Sequence, residues 1–250
     1  MSSLTEQARR SLVITRKNVK IYYSKGPVIV FGLVFPLFLA LAYVMGRNIT
    51  LKEVLPGLVG MTAFFTATAV GPSIVPWETR SRTLERLLCC PVALWTIVVG
   101  DMLSSFLFGL LISVIPLALT LALGIEVLSF AVLLLGLILA NLCFAALSVL
   151  LSAYPPTDVP ATTMMLSSLV KFPLVFMSGV FIPIEQLPPW GAMIGSLSPL
   201  SYFTDMVRRL FLGEGFYPLA LDFLALLAFT AAFTWAAIRL HERTLGKRLS

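Results

Sequence analysis

Apolar residues run through this chain in long stretches, and short polar clusters separate them. Six stretches have membrane-crossing length, at about 27–45, 55–76, 94–123, 127–152, 159–182 and 216–240. Roughly 20 apolar residues in a helix cross a hydrocarbon core about 30 Å thick. The pattern therefore predicts an all-α integral membrane protein with six transmembrane helices.

Residues 1–26 follow a different rhythm. Leu4, Ala8, Leu12, Thr15, Val19 and Tyr22 recur at spacings of three or four, with Arg9, Arg16 and Lys20 on other faces. That spacing predicts an amphipathic helix lying in the membrane interface. No small-residue cleavage site closely follows the first apolar run, so the segment does not read as a cleavable signal peptide. The expected organisation is an interfacial helix over 1–26 and a six-span domain over 27–250, with a tail over 241–250.

Two connections are longer than the rest. In the first, 77–93, Thr83, Leu84, Leu87 and Leu88 have the spacing of a short amphipathic helix that Pro91 stops. In the second, about 183–215, Pro183, Pro188, Pro189 and Pro199 surround a moderately apolar stretch at 190–197. Such punctuation predicts broken or re-entrant helices, tolerated at membrane depth only where protein or water satisfies the freed backbone groups. No repeat relates the two halves, so an inverted-repeat architecture has no support.

Composition agrees with the pattern. Of 250 residues, 58% are hydrophobic and 12% charged, against roughly 25% charged in a soluble domain; with a mean hydropathy of +0.96, an ordinary soluble protein is excluded. The net charge of +6 follows topology: 13 of the 18 Lys and Arg fall before the first run, in the 77–93 connection or from Arg239 onward, and Arg47, Lys52, Arg208 and Arg209 fall on the other side. The positive-inside rule thus places both termini in the cytoplasm, where the cations also meet anionic headgroups. No basic stripe is interleaved with exposed aromatics, so nucleic acid is not an expected partner. Cys89, Cys90 and Cys143 imply no disulfide framework, and the single histidine, His241, lacks the spacing for a zinc site or a Ser-His-Asp machine.

A few residues within the runs stand out. Lys171 falls near the middle of the fifth, where exposure to lipid costs at least about 2.5–3.5 kcal/mol, so it must face protein or water. Two readings follow: a cation lining a substrate route and favouring an anionic or phosphate-bearing ligand, or a structural lysine paired with an acid or a carbonyl, such as one freed by Pro173. Phe176 and Phe181 either line an apolar route or serve packing and lipid contact. Asp101 is expected to partner an Arg or Lys of the N-terminal helix, and Glu126 and Asp222, near run ends, to be solvated.

Three spaced motifs then carry a family resemblance. Glu78, Thr83, Leu84, Glu85, Leu87 and Pro91 form a Glu-x-x-x-x-Thr-Leu-Glu-x-Leu-x-x-x-Pro element after the second run. Ser178, Gly179, Pro183, Pro188 and Trp190 close the fifth run, and Pro199, Leu200, Tyr202 and Arg208 follow. In order and placement these resemble the permease subunits of ATP-binding-cassette transporters of the type-2 export class, over nearly the whole chain. The resemblance implies a cytoplasmic coupling helix at about 78–91 that docks on a separate ATPase subunit through Glu78, Thr83, Leu84, Glu85, Arg86 and Leu87. From the residues alone, a solvated loop whose charges only fix orientation is an equal reading.

The resemblance further implies an outer gate formed by Gly179, Pro183, Pro188, Trp190, Pro199, Tyr202 and Arg208, and an assembly of two permeases with two ATPases. No Gly-x-x-x-x-Gly-Lys-[Ser/Thr] segment is present. The chain is therefore expected to be no enzyme and to bind no cofactor, with ATP and Mg used by the partner. Few charges within the runs point to a hydrophobic or amphipathic cargo such as a drug, a lipid or a lipid-linked saccharide, with Lys171, Phe176 and Phe181 the candidates to line its path. An ion-driven secondary transporter would call for paired intramembrane carboxylates, and a membrane enzyme acting on lipid intermediates for a carboxylate cluster; neither pattern is evident.

Overall fold

The computed structural model describes residues 4–24, 26–45 and 50–249, and these are helical with no strand among them. Lys25 and Arg47, which enter the charge count above, and the Leu4 side chain lie outside the described set. The chain begins with α1 (Leu4–Asn18), prolonged by a π-helical turn at Val19–Tyr23, and continues with α2 (Gly26–Val44). The second apolar run is divided into α3 (Leu51–Ala67) and α4 (Gly71–Arg80), and α5 (Thr83–Cys89) follows. Then come α6 (Leu94–Ala122), α7 (Phe130–Ser152), α8 (Pro160–Phe176), a 3-10 turn at Ile184–Gln186, α9 (Pro189–Gly195), α10 (Pro199–Leu212) and α11 (Leu219–Leu249).

Apolar helices occupy all six expected places. Among the described residues the α3–α4 pair, α6, α7 and α11 are long and apolar enough to cross a membrane, whereas α8 and the Gly32–Val44 part of α2 are apolar but shorter. Three expected boundaries are corrected. The second run is not one helix, because Thr68, Ala69 and Val70 turn between α3 and α4 and Pro72, in the first turn of α4, cannot donate back into α3. Span five ends at Phe176 rather than at 182, because Gly179 has φ +72° and takes the chain into a turn. The expected tail is no separate element: α11 runs unbroken to Leu249.

α3 lies at the centre, packed among α2, α6, α7 and α10. Its Phe64 and Phe65 are fully buried; Phe64 meets Phe144 of α7 edge-on at 5.2 Å and Phe65 meets Phe35 of α2 edge-on at 5.0 Å. Such tilted ring pairs add about 0.5–1.5 kcal/mol beyond area burial. In lipid, helices gain little from hiding apolar area from one another, so close approach through small residues matters more. Gly57 of α3 shows this: a Cβ there would lie 2.2 Å from the Val180 carbonyl oxygen.

Candidate functional site

α5 is the short helix that the 77–93 connection foretells, and it starts abruptly. Arg82, its N-cap, has φ 56° and ψ 22°, a left-handed conformation that turns the chain sharply between α4 and α5. The turn is tied locally: the Ser81 hydroxyl donates to the Trp77 carbonyl at 2.8 Å and the Thr83 hydroxyl to the Glu78 carbonyl at 3.3 Å. Leu84 points inward and is buried, Leu87 and Leu88 are half-buried, and Glu85 and Arg86 face outward. The helix ends before Pro91, which cannot continue it.

The chain on both sides of α5 is held by α1. At the C-terminal end, the Pro91 carbonyl accepts from Gln7 Nε2 at 3.2 Å and from the Arg10 guanidinium. The other end of the Gln7 amide accepts from the Ala93 amide at 3.3 Å and the Thr96 hydroxyl at 2.7 Å. At the N-terminal end, Lys17 forms an ion pair with Glu78. Glu78, expected among the docking residues, belongs to the last turns of α4; its side chain is 1% exposed and pairs with Lys17 of α1.

Further contacts bind α1 along α6. The Ser11 hydroxyl donates to the Thr96 carbonyl at 3.1 Å, the Thr15 hydroxyl to the Gly100 carbonyl at 3.1 Å, and Asn18 Nδ2 to Asp101 Oδ1 at 2.6 Å. A Cβ at Gly100 would sit 2.7 Å from the Ile14 side chain, so the glycine admits α1 to this distance. The partner of Asp101 is therefore Asn18, while the nearby Lys17 takes Glu78. Beside them Tyr22 lies against Trp77, with ring centroids 5.7 Å apart. Burial and the Glu78 charge push the Tyr22 phenol well above its usual range, which keeps it neutral.

The amphipathic pattern of α1 is thus used differently from the expectation. Gln7, Ser11, Thr15 and Asn18 form the face against α6, while Leu12 is 61% and Val13 64% exposed. Side-chain amides and hydroxyls can satisfy carbonyls across a helix interface, and leucine and valine cannot. The spacing of polar residues at 7, 11, 15 and 18 was the available signal for this face. Gln7, Asn18 and the clamping roles of Arg10 and Lys17 are the functional features that sequence reasoning missed.

Lys171 on α8 is 3% exposed, and its ammonium donates to the Thr68 carbonyl at 3.2 Å. In a continuous helix that carbonyl would accept from the amide of residue 72. Residue 72 is proline, so the acceptor is orphaned by the break and the lysine fills the vacancy. Phe176 and Phe181 are elsewhere: they stack on each other at 5.6 Å in the turn after α8, and Phe181 also meets Tyr43 at 5.3 Å. The three candidates for a path do not form one cluster.

At the opposite end of the bundle, α10 staples the broken segments. Its Thr204 hydroxyl donates to the Ser178 carbonyl at 2.8 Å and Arg208 to the Gly179 carbonyl at 3.1 Å. Ser201 donates to Gly195 at 2.6 Å and the Tyr202 phenol to Ser196 at 2.9 Å, which fixes α9. Pro183 precedes the 3-10 turn, Pro188 precedes α9 and Pro199 opens α10, while Trp190 stays largely exposed. Asp205 accepts from the Phe216 and Tyr217 amides at 2.9 and 3.0 Å and so positions the entry to α11. Asp222, expected in water, is buried because α11 starts against α10.

These features define a multi-pass α-helical membrane protein of the permease type, with a short strapped helix between spans at one end and broken, stapled helices at the other. The family model for ABC-2 type transporters matches residues 9–212, and the chain belongs to that family. It is a membrane permease of an ABC transporter, and membership implies an ABC ATPase partner. The chain is 27% identical over 199 residues to the inner membrane transport permease YadH of Escherichia coli (strain K12), across 79% of this chain and 77% of that protein. It is 29% identical over 223 residues to nodulation protein J of Bradyrhizobium diazoefficiens, across 86% and 82% of the two. With the probable multidrug ABC transporter permease YbhR of Escherichia coli (strain K12) it shares 24% identity over 197 residues, 76% of this chain and 52% of that one.

Proposed function

We propose that the chain is the permease of an ATP-driven exporter in the inner membrane, with both termini in the cytoplasm and α5 as its coupling helix. The observation that carries this reading is the mounting of α5. Exposed Glu85 and Arg86 can make charge-assisted contacts with a soluble ATPase, while α1 holds the chain on both sides of the element, at Pro91 and at Glu78. A push on α5 therefore reaches α1, α4 and α6 together. Two copies form the transport path, ATP and Mg are used by the partner subunit, and alternating access moves a hydrophobic or amphipathic cargo outward.

Lys171 serves this machine as a structural group at the α3–α4 break, the carbonyl contact being the support for that role. The test is extraction of the tagged chain from its native membrane in mild detergent, with identification of co-purifying proteins and an ATPase assay. A Walker-motif subunit in equal amount is expected, and Glu85→Arg combined with Arg86→Glu is expected to uncouple its hydrolysis from transport while the chain remains inserted. Normal transport by that variant, or an intact oligomer with no ATPase attached, overturns the docking assignment.

A further inference from the structure

A groove of about 520 Å³ opens between α7 and α11, at the end of α11 where its apolar run gives way to charges. Its walls include Leu150 of α7 with Ala236 and Leu240 of α11, and Trp235, Arg239 and Arg243 line it from α11. Neither α1 nor α5 lines this groove, so it is separate from the docking element.

Trp235, Arg239 and Arg243 are spaced by four, so they form one column along a helix face. At 1.5 Å per residue the column extends about 12 Å, enough to run from the edge of the hydrocarbon into the headgroups. Trp235 is 66% exposed, and an indole with an apolar body and one N–H is the side chain favoured at that boundary. Arg239 and Arg243 follow at headgroup depth, where a guanidinium can grip a phosphate through two parallel N–H donors. Little of α11 is covered by its own chain, since only 17% of its most apolar window is buried.

We infer that this groove is a binding site for an anionic phospholipid, with the phosphate held by Arg239 and Arg243 and the acyl chain lying along Trp235, Ala236, Leu240 and Leu150. The one acid lining it, Glu242, lies 3.6 Å from Arg239, and both side chains are exposed, Arg239 at 63% and Glu242 at 49%. Exposed i,i+3 pairs of this kind are worth little and exchange readily for a stronger acceptor. Among the described residues Arg243 forms no ion pair, and a lipid phosphate is the acceptor that the two guanidinium groups share. An apolar floor beside a paired cationic rim fits an amphiphile with an anionic head; a soluble anion would leave the floor in water.

The experiment uses the permease purified with whatever ATPase accompanies it, reconstituted into nanodiscs of equal parts phosphatidylglycerol and phosphatidylcholine. After mild delipidation, native mass spectrometry counts the lipids that remain. Phosphatidylglycerol is expected to be retained in preference, and Arg239→Gln with Arg243→Gln to lower that retention about tenfold with an unchanged melting temperature. The control, Arg9→Gln with Arg16→Gln, removes the same charge from the exposed side of α1 and should retain the lipid. Equal retention of the two lipids, or an equal loss in the control, overturns the site. A Trp235→Cys chain that crosslinks to a second copy in the membrane would assign the groove to an interface between copies and overturn it as well.

Discussion

Lys171 is stable at its depth because two local defects cancel. The helix break orphans the Thr68 carbonyl, Pro72 lacks the amide that would have served it, and the ammonium supplies the missing donor. Lys171→Met should therefore lower the stability of the purified permease by about 1–3 kcal/mol, the cost of stranding a buried acceptor, read as a fall in melting temperature. Lys171→Gln keeps a donor and should lose less. Pro72→Ala restores an amide at residue 72, so in that background the cost of Lys171→Met should shrink, and a double-mutant cycle measures the coupling. Full stability of Lys171→Met together with lost transport would instead assign the lysine to the substrate route. Lys171 was legible in the sequence as a residue that needs a partner. Which partner was not, because the acceptor lies 103 positions away in the turn between two other helices.

α1 ties down the chain on both sides of α5, at Glu78 of α4 and at Pro91. The pair Lys17–Glu78 is asymmetric: Lys17 keeps 28% side-chain exposure and Glu78 keeps 1%. Lys17→Ala leaves a buried carboxylate without its cation and should cost about 3–5 kcal/mol. Glu78→Gln leaves only a lysine that can reach water and should cost less. Thermal unfolding of the two purified variants checks the order, and equal losses would refute the buried-anchor role. Gly57→Ala tests the other end: its methyl would meet the Val180 carbonyl, so α3 must shift, with a loss of about 1–3 kcal/mol. The existence of α5 was readable from Thr83, Leu84, Leu87 and the stop at Pro91. The strap was not, because Gln7, Ser11 and Asn18 look like the water-facing side of a surface helix until α6 is beside them.

For the assembled permease, native thiols offer a test of both docking and orientation. Cys89 and Cys90 are exposed at the end of α5, whereas Cys143 is buried in α7. A membrane-impermeant maleimide should label Cys89 and Cys90 in inverted membrane vesicles and leave them unlabelled in intact cells. Bound ATPase should slow the labelling in vesicles, and Cys89→Ser with Cys90→Ser should abolish it. Labelling in intact cells would overturn the cytoplasmic placement of α5, and a rate indifferent to the ATPase would move the docking surface away from this helix.

The all-helical class, the places of the apolar helices and the two unusual connections follow from local properties: run length against bilayer thickness, and proline where helices must stop. Even the ordered pieces of the 183–215 stretch, α9 and α10, begin at Pro189 and Pro199. The break at Thr68–Val70 escaped that reading, because hydropathy averages over a window and does not register a turn made of small and apolar residues. The tail escaped it too. Arg239, Arg243, Lys247 and Arg248 mark the end of an apolar run, yet the helix continues, because Arg248 donates to the Ser152 and Ala153 carbonyls at 2.7 and 3.2 Å and satisfies the end of α7. Hydrophobicity is a property of each residue and its near neighbours, so it can be read along the chain. Which orphaned carbonyl meets which distant donor depends on helices brought together in space, and only the folded arrangement decides it.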